Sequence, residues 1–265
     1  MRKVLLVVTA ALLAVTIVAA GCGKKNPTEG NAQKLIKDSN KAMQSLKSYK
    51  AVGSINISSS VVSQGATSVS FEMQIQQNGP KDFQGHMMIS ALGKNMEVYI
   101  ANGYVYTNDP EKGWVKQPLS SVSDFSTLAS PADISKLGDA ATNARILTED
   151  SQYYKIAFDL NADYLKQLMG SQASNKNLSS EEKKIADEML KGMQMGAIFK
   201  LEKSTMYINS MVMNFNIQNV PSAGKLKMEE KIDLSEFNKP VEVNLPAEAQ
   251  NAQEVTGSGA LTPTL

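Results

Sequence analysis

Over long stretches this chain alternates apolar and polar residues one by one, and a period of two confines those stretches to strands with one buried face. In residues 68–77, Val69, Phe71, Met73 and Ile75 alternate with Ser70, Glu72, Gln74 and Gln76. The same pattern runs through residues 50–60, 83–92, 96–100, 154–160, 211–217 and 225–233. Turn signals separate the runs: Asn78-Gly79-Pro80, a Gly93-Lys94-Asn95 corner, and Asn102-Gly103, the strongest hairpin dipeptide of the set. Residues 104–106 and 114–115 add short strands, 201–208 a further one closed by an Asn209-Ser210 turn, and 241–245 an edge strand. Such a series predicts an antiparallel meander whose apolar face must be covered.

Helices are the available cover, which makes the fold class α+β. Residues 32–48 place Leu35, Ile36, Met43 and Leu46 at helical spacing, with Lys34, Lys37, Asp38 and Lys41 opposite. Between the strands, residues 132–137, 163–169 and 180–193 read as inserted helices, the last carrying an Ile185, Met189, Met193 stripe.

The chain's one cysteine, Cys22, follows Val18-Ala19-Ala20-Gly21. Ahead of it stand Arg2 and Lys3 and an apolar run from Val4 to Ala20, the layout of a bacterial lipoprotein signal, although Ala19 occupies the position where such signals usually carry Leu. The expected organisation is a signal peptide at 1–21, an acylated tether at 22–30, a domain at 31–246 and a disordered tail at 247–265, poor in large apolar groups. Two acyl chains of a diacylglycerol on Cys22 would hold the protein stably on the extracytoplasmic face of the cell membrane. Removing 21 residues from 265 takes away two of the 27 basic residues and leaves 25 against 26 acidic ones. That near-neutral balance, without a basic cluster, argues against nucleic acid as a partner.

The residues also exclude most catalytic chemistry. His86 is the chain's only histidine and lies mid-strand, so a nucleophile finds no positioned base and zinc no ligand set. No glycine-rich phosphate loop is present, and the pairs Glu181-Glu182 and Glu229-Glu230 read as solvated. Neither an enzyme nor a cofactor is expected. The unusual enrichment is methionine, 14 residues, distributed by strand alternation rather than in the short Met-rich motifs that take Cu(I).

The order of helix, meander, inserted helices and further strands behind a lipobox resembles the LolA and LppX type of lipoprotein-carrier fold, and more closely the uncharacterised Gram-positive lipoproteins of that superfamily. The residues that carry the likeness are 42–49, ending in Leu46-Lys47-Ser48-Tyr49, then 98–106, Gly113-Trp114-Val115-Lys116, and Asp233-Leu234-Ser235-Glu236-Phe237-Asn238. The resemblance spans residues 30 to 245. It implies a strongly curved antiparallel sheet, an open half-barrel, covered on its concave face by helices that enclose an apolar cavity. Strand parity then nominates Phe71, Met73, Met87, Ile89, Val98, Ile156, Phe158, Met213 and Phe215 as cavity-lining candidates for a lipid or other hydrophobic ligand. A filled core with the same parity, in an envelope interaction or sensor module, is the alternative.

Overall fold

The computed structural model describes residues 27–60, 67–79, 82–109, 113–121, 137–161, 193–220 and 224–255. Cys22, the segment expected to be a signal peptide and nearly all of the three expected inserted helices lie outside them. Helix α1 (Pro27–Gln44) leads into two antiparallel meanders. The first comprises β1 (Ser48–Ser59), β2 (Thr67–Gly79), β3 (Asp82–Ala91), β4 (Lys94–Ala101), β5 (Tyr104–Asp109) and β6 (Gly113–Pro118). The second comprises β7 (Ala141–Glu149), β8 (Tyr153–Leu160), β9 (Met193–Glu202), β10 (Ile208–Val220) and β11 (Gly224–Ser235). They join where β1 pairs with β11, from Lys50 opposite Ser235 to Ser59 opposite Leu226. Among the described residues one open sheet of 12 strands results, led by β12 (Gln253–Glu254), in the order β12-β6-β5-β4-β3-β2-β1-β11-β10-β9-β8-β7.

Several turns follow from local chemistry. Asn102-Gly103 forms the expected two-residue hairpin, with both residues at positive φ (55° and 76°). The β3–β4 turn is Leu92-Gly93, at 51° and 77°, one residue earlier than the Gly93-Lys94-Asn95 corner predicted. The Asn209-Ser210 turn does not exist: both residues belong to β10, and the chain reverses over 203–207. There Met206 takes φ 61°, its N–H reaches the Glu202 carbonyl at 2.8 Å, and the Thr205 hydroxyl accepts the Tyr207 N–H at 3.1 Å.

At two positions a neighbouring strand comes too close for any side chain. A Cβ on Gly53 of β1 would lie 2.5 Å from the Phe71 ring and 2.7 Å from the Lys231 carbonyl oxygen on β11. A Cβ on Gly85 of β3 would lie 2.5 Å from the Gln74 carbonyl oxygen on β2. Glycine alone permits so close an approach of neighbouring backbone.

The inner face carries the main core. α1 contributes Ala32, Ile36 and Met43, the link to β1 Leu46, and the second meander Ile156, Phe158, Phe199, Leu201, Ile208 and Met211, all in one apolar cluster. Phe158 and Phe199 meet edge to face at 4.7 Å. A Cβ on Gly138 would collide with the Asn40 side chain and lie 2.8 Å from Ile36, so glycine sets how closely α1 seats. Asn40 also donates to Asp139 at 2.7 Å. Among the described residues, helical cover of the inner face comes from α1, which seats beside β7, and from the short helical stretch 137–139 through Leu137.

The C-terminal stretch differs from expectation. Residues 241–245 form no strand; they run as a strap over the outer face, where Val241 donates to Gln76 at 2.9 Å and accepts from Gln84 at 2.8 Å. The tail expected to be disordered from 247 instead forms helix α2 (Ala247–Gln250) and strand β12 (Gln253–Glu254), which pairs in parallel with β6. Two small residues explain it: Ala249 and Ala252 are buried against Tyr99, Ala101 and Tyr106, with Tyr104, Trp114, Val243 and Leu245 around them. Small side chains let the strap lie close on an aromatic surface, and a hydrophobicity scan discounts them. At the other end, the tether expected to run to Gly30 is already helical from Pro27.

Candidate ligand site

Strand registers assign each residue to a face without ambiguity. One inner row runs Ile232–Gly53–Phe71–Ile89–Met96 from β11 to β4, and the next Leu234–Ala51–Met73–Met87–Val98. On the other half, Met213–Ala197–Phe158 and Met228–Phe215–Met195 continue the same face across β11 to β8. All nine candidates, Phe71, Met73, Met87, Ile89, Val98, Ile156, Phe158, Met213 and Phe215, therefore share the inner face. They do not share an environment.

Met73, Val98, Ile156, Phe158 and Met213 are buried in the core, exposed by 7 % at most. Around Met73, Ile75, Val98 and Ile100, with Met87 at the margin, the packing leaves no room for a water molecule. There Met73 and Val98 pack side chain against side chain in the core. Phe71, Met87, Ile89 and Phe215 are half-buried. They lie toward the end of the sheet away from α1, beside other half-buried inner residues that parity reasoning passed over: Ile55, Ile57, Val69, Met96 and Met228. Together these form an apolar strip from β10 across to β4. Where β1, β11 and β10 run side by side, a depression of about 350 Å³ borders the inner residues Ile57, Phe215 and Met228, but most of its lining, Asn56, Ser58, Asn214, Asn216, Lys227 and Glu229, has outward parity, so it is no cavity of the inner strip.

Glu230 interrupts the strip. It lies opposite Ile55 on β1 and Met213 on β10, between Met228 and Ile232 along its own strand. Its expected solvated position is corrected here: Glu229 faces outward, paired with Lys231 at 2.9 Å, but Glu230 faces inward and is half-buried. Loss of water around the carboxyl pushes its pKa above the ordinary value. The signal was present in the sequence, since Leu226, Met228 and Ile232 fix the parity that also puts position 230 inside.

On the outer face His86 stacks on Tyr99 at 4.4 Å, and Tyr99 meets Trp114 at a tilt of 57° and 5.7 Å. The Gly113–Lys116 and 98–106 motifs therefore supply a second small core. Asp233–Asn238 is likewise structural: the Asn238 carboxamide accepts the Lys47 N–H at 2.9 Å, tying the end of β11 to the α1–β1 junction. No group of three or more His, Cys, Asp or Glu side chains among the described residues is placed to hold a metal ion. No described helix is long and apolar enough to cross a membrane.

The family model of DUF6612, described as a family of unknown function, matches residues 31–254. No curated protein matches the chain. Among solved structures, LprF from Mycobacterium bovis is similar over 84 % of this chain and 99 % of its own, at 16 % identity and a TM-score of 0.51. A LolA superfamily protein from Nitrosomonas europaea is similar over 81 % of this chain and 94 % of its own, at 10 % identity, with a TM-score of 0.28 that carries no geometric argument. The chain shares the fold of LprF.

Proposed function

We propose that this chain, which belongs to DUF6612, is a non-catalytic lipoprotein that binds or carries a lipid or other hydrophobic ligand on the open part of its inner face. The observation that carries the reading is the half-buried strip of Ile55, Ile57, Phe71, Ile89, Met96, Phe215 and Met228 beside a closed core. An unfilled apolar surface costs free energy unless something covers it, on the order of 25 cal/mol per Å² left in water. The close strand approaches that require glycine at positions 53 and 85 favour a sheet curved toward a concave inner face, the half-barrel that would shelter a chain-like ligand. In this reading Cys22 carries a diacylglycerol, and the protein works at the extracytoplasmic face of the cell membrane.

The test compares two overpacking substitutions. Met228→Trp should reduce uptake of a hydrophobic ligand while leaving the melting temperature nearly unchanged, because the indole enters unfilled space. Met213→Trp, in the closed core, should cost about 1 to 3 kcal/mol. Equal destabilisation by both, with no lipid extracted from the purified parent protein, would favour the envelope interaction module instead. The absence of free space around Met73 and Val98 is the observation on that side. Anchoring is tested separately: Cys22→Ser should leave the protein as uncleaved precursor or release it, and retention of a processed form at the membrane would refute acylation.

A further inference from the structure

The inner row of β11 reads Leu226, Met228, Glu230, Ile232, Leu234, so a single charged side chain stands in an apolar row. The other charged residues of this strand, Lys225, Lys227, Glu229, Lys231 and Asp233, take the opposite parity and face outward. Among the described residues nothing supplies Glu230 with an ion pair, and its facing neighbours Ile55, Met213, Met228 and Ile232 offer no hydrogen-bond donor. Its place is a boundary. Ile232 and Leu234 behind it are buried in the core, while Met228 and Leu226 ahead of it are half-buried.

A carboxylate withdrawn from water without a partner is costly, and a protein gains nothing in stability by keeping one there. The arrangement becomes favourable when an occupant brings the counter-charge. From Glu230 the strip passes to Ile55, then by a diagonal step beside Val69 to Phe71, and on to Ile89 and Met96, four inter-strand steps that span roughly 19 Å at about 4.8 Å each. That is room for an extended alkyl chain.

We infer that Glu230 makes this strip selective for amphiphiles whose polar end is a protonated amine, held by the carboxylate while the alkyl chain lies along Ile55, Phe71, Ile89 and Met96. The inference rests on the reading of the strip as a ligand site and deepens it. Free carboxylates and phosphates are rejected, because they would place like charge beside Glu230 with no cation between them. Glu229, one residue away on the outer face and already paired with Lys231, is the internal control.

The test uses three dodecyl probes that differ only at the polar end, dodecylammonium, dodecanol and dodecanoate, each below its micelle concentration and titrated against the full chain. Dodecylammonium should bind at least about tenfold more tightly than dodecanoate, with dodecanol between them, as one charge-assisted contact would give. Glu230→Gln, which keeps the shape, should bring the three within about threefold of each other, and Glu229→Gln should leave the order intact. Equal affinities in the parent, or a preference that survives Glu230→Gln, would overturn this inference and leave the hydrophobic site standing. If none of the three probes binds, both the inference and the ligand-site reading fall.

Discussion

At the scale of single residues, the sheet depends on places where a side chain is absent as much as on those where one packs. Gly85→Ala puts a methyl group 2.5 Å from the Gln74 carbonyl oxygen, which is backbone and cannot swing aside. The variant should lose about 1 to 3 kcal/mol in urea unfolding, the scale of overpacking. Gly53 is softer on one side, where the Phe71 ring can turn, and stiff on the other, where the Lys231 carbonyl oxygen stands at 2.7 Å. Glu230 makes a different residue-scale prediction. Because burial raises its folded-state pKa, the folded state holds the proton more tightly than the unfolded chain does. Stability from this group is greatest when both states are protonated, falls as pH rises between the unfolded and folded pKa, and stays low above. Glu230→Gln should therefore raise the melting temperature near pH 7, and the gain should vanish below about pH 4, where the carboxyl is neutral in both states. An equal gain at both pH values would show that ionisation of Glu230 carries no cost.

Elements were legible where alternation was unbroken and obscure where the backbone supplied its own irregularity. The first meander follows from its apolar residues almost strand by strand. β7 does not, because two register shifts against β8 and the positive φ of Asn143 (53°) break the period, leaving Ala144 and Ile146 as its inward residues. β9 was hidden differently: Met193 also continues the helical stripe of Ile185 and Met189, although Met195, Ala197, Phe199 and Leu201 go on in strand period. The ligand strip was half legible, since parity gives the face but not which part of it a helix fills. The strap was illegible because its anchors are alanines. Ending the chain at residue 246, the boundary first expected, should uncover Tyr99, Tyr106 and Trp114 and cost on the order of 2 kcal/mol or more, the scale of one large buried side chain. Trp114 is the only tryptophan, so a red shift of its fluorescence would report the uncovering directly.

For the whole molecule, the two meanders differ in how they are closed. The second half takes α1 onto its inner face through Ile36 and Met43, whose sulfur accepts the Ile208 N–H at 3.5 Å. The first half is buried on its outer face by the C-terminal strap. Each half is thus completed by an element from the opposite end of the sequence, and the open strip lies across the junction. A ligand on that strip would touch both meanders, which links its binding to the union of the halves.

The seam between β1 and β11 sets the order in which this molecule can come into being. Each hairpin of either meander forms from neighbouring sequence, a cheap and rapid closure, whereas Lys50 meets Ser235 only after nearly the whole chain has been made. Until then β1 presents a long edge with no partner, the kind of edge that recruits strands from other chains. Folding speed and the hazard of aggregation should therefore be governed by this one late pairing, and not by the many local ones that make up most of the sheet.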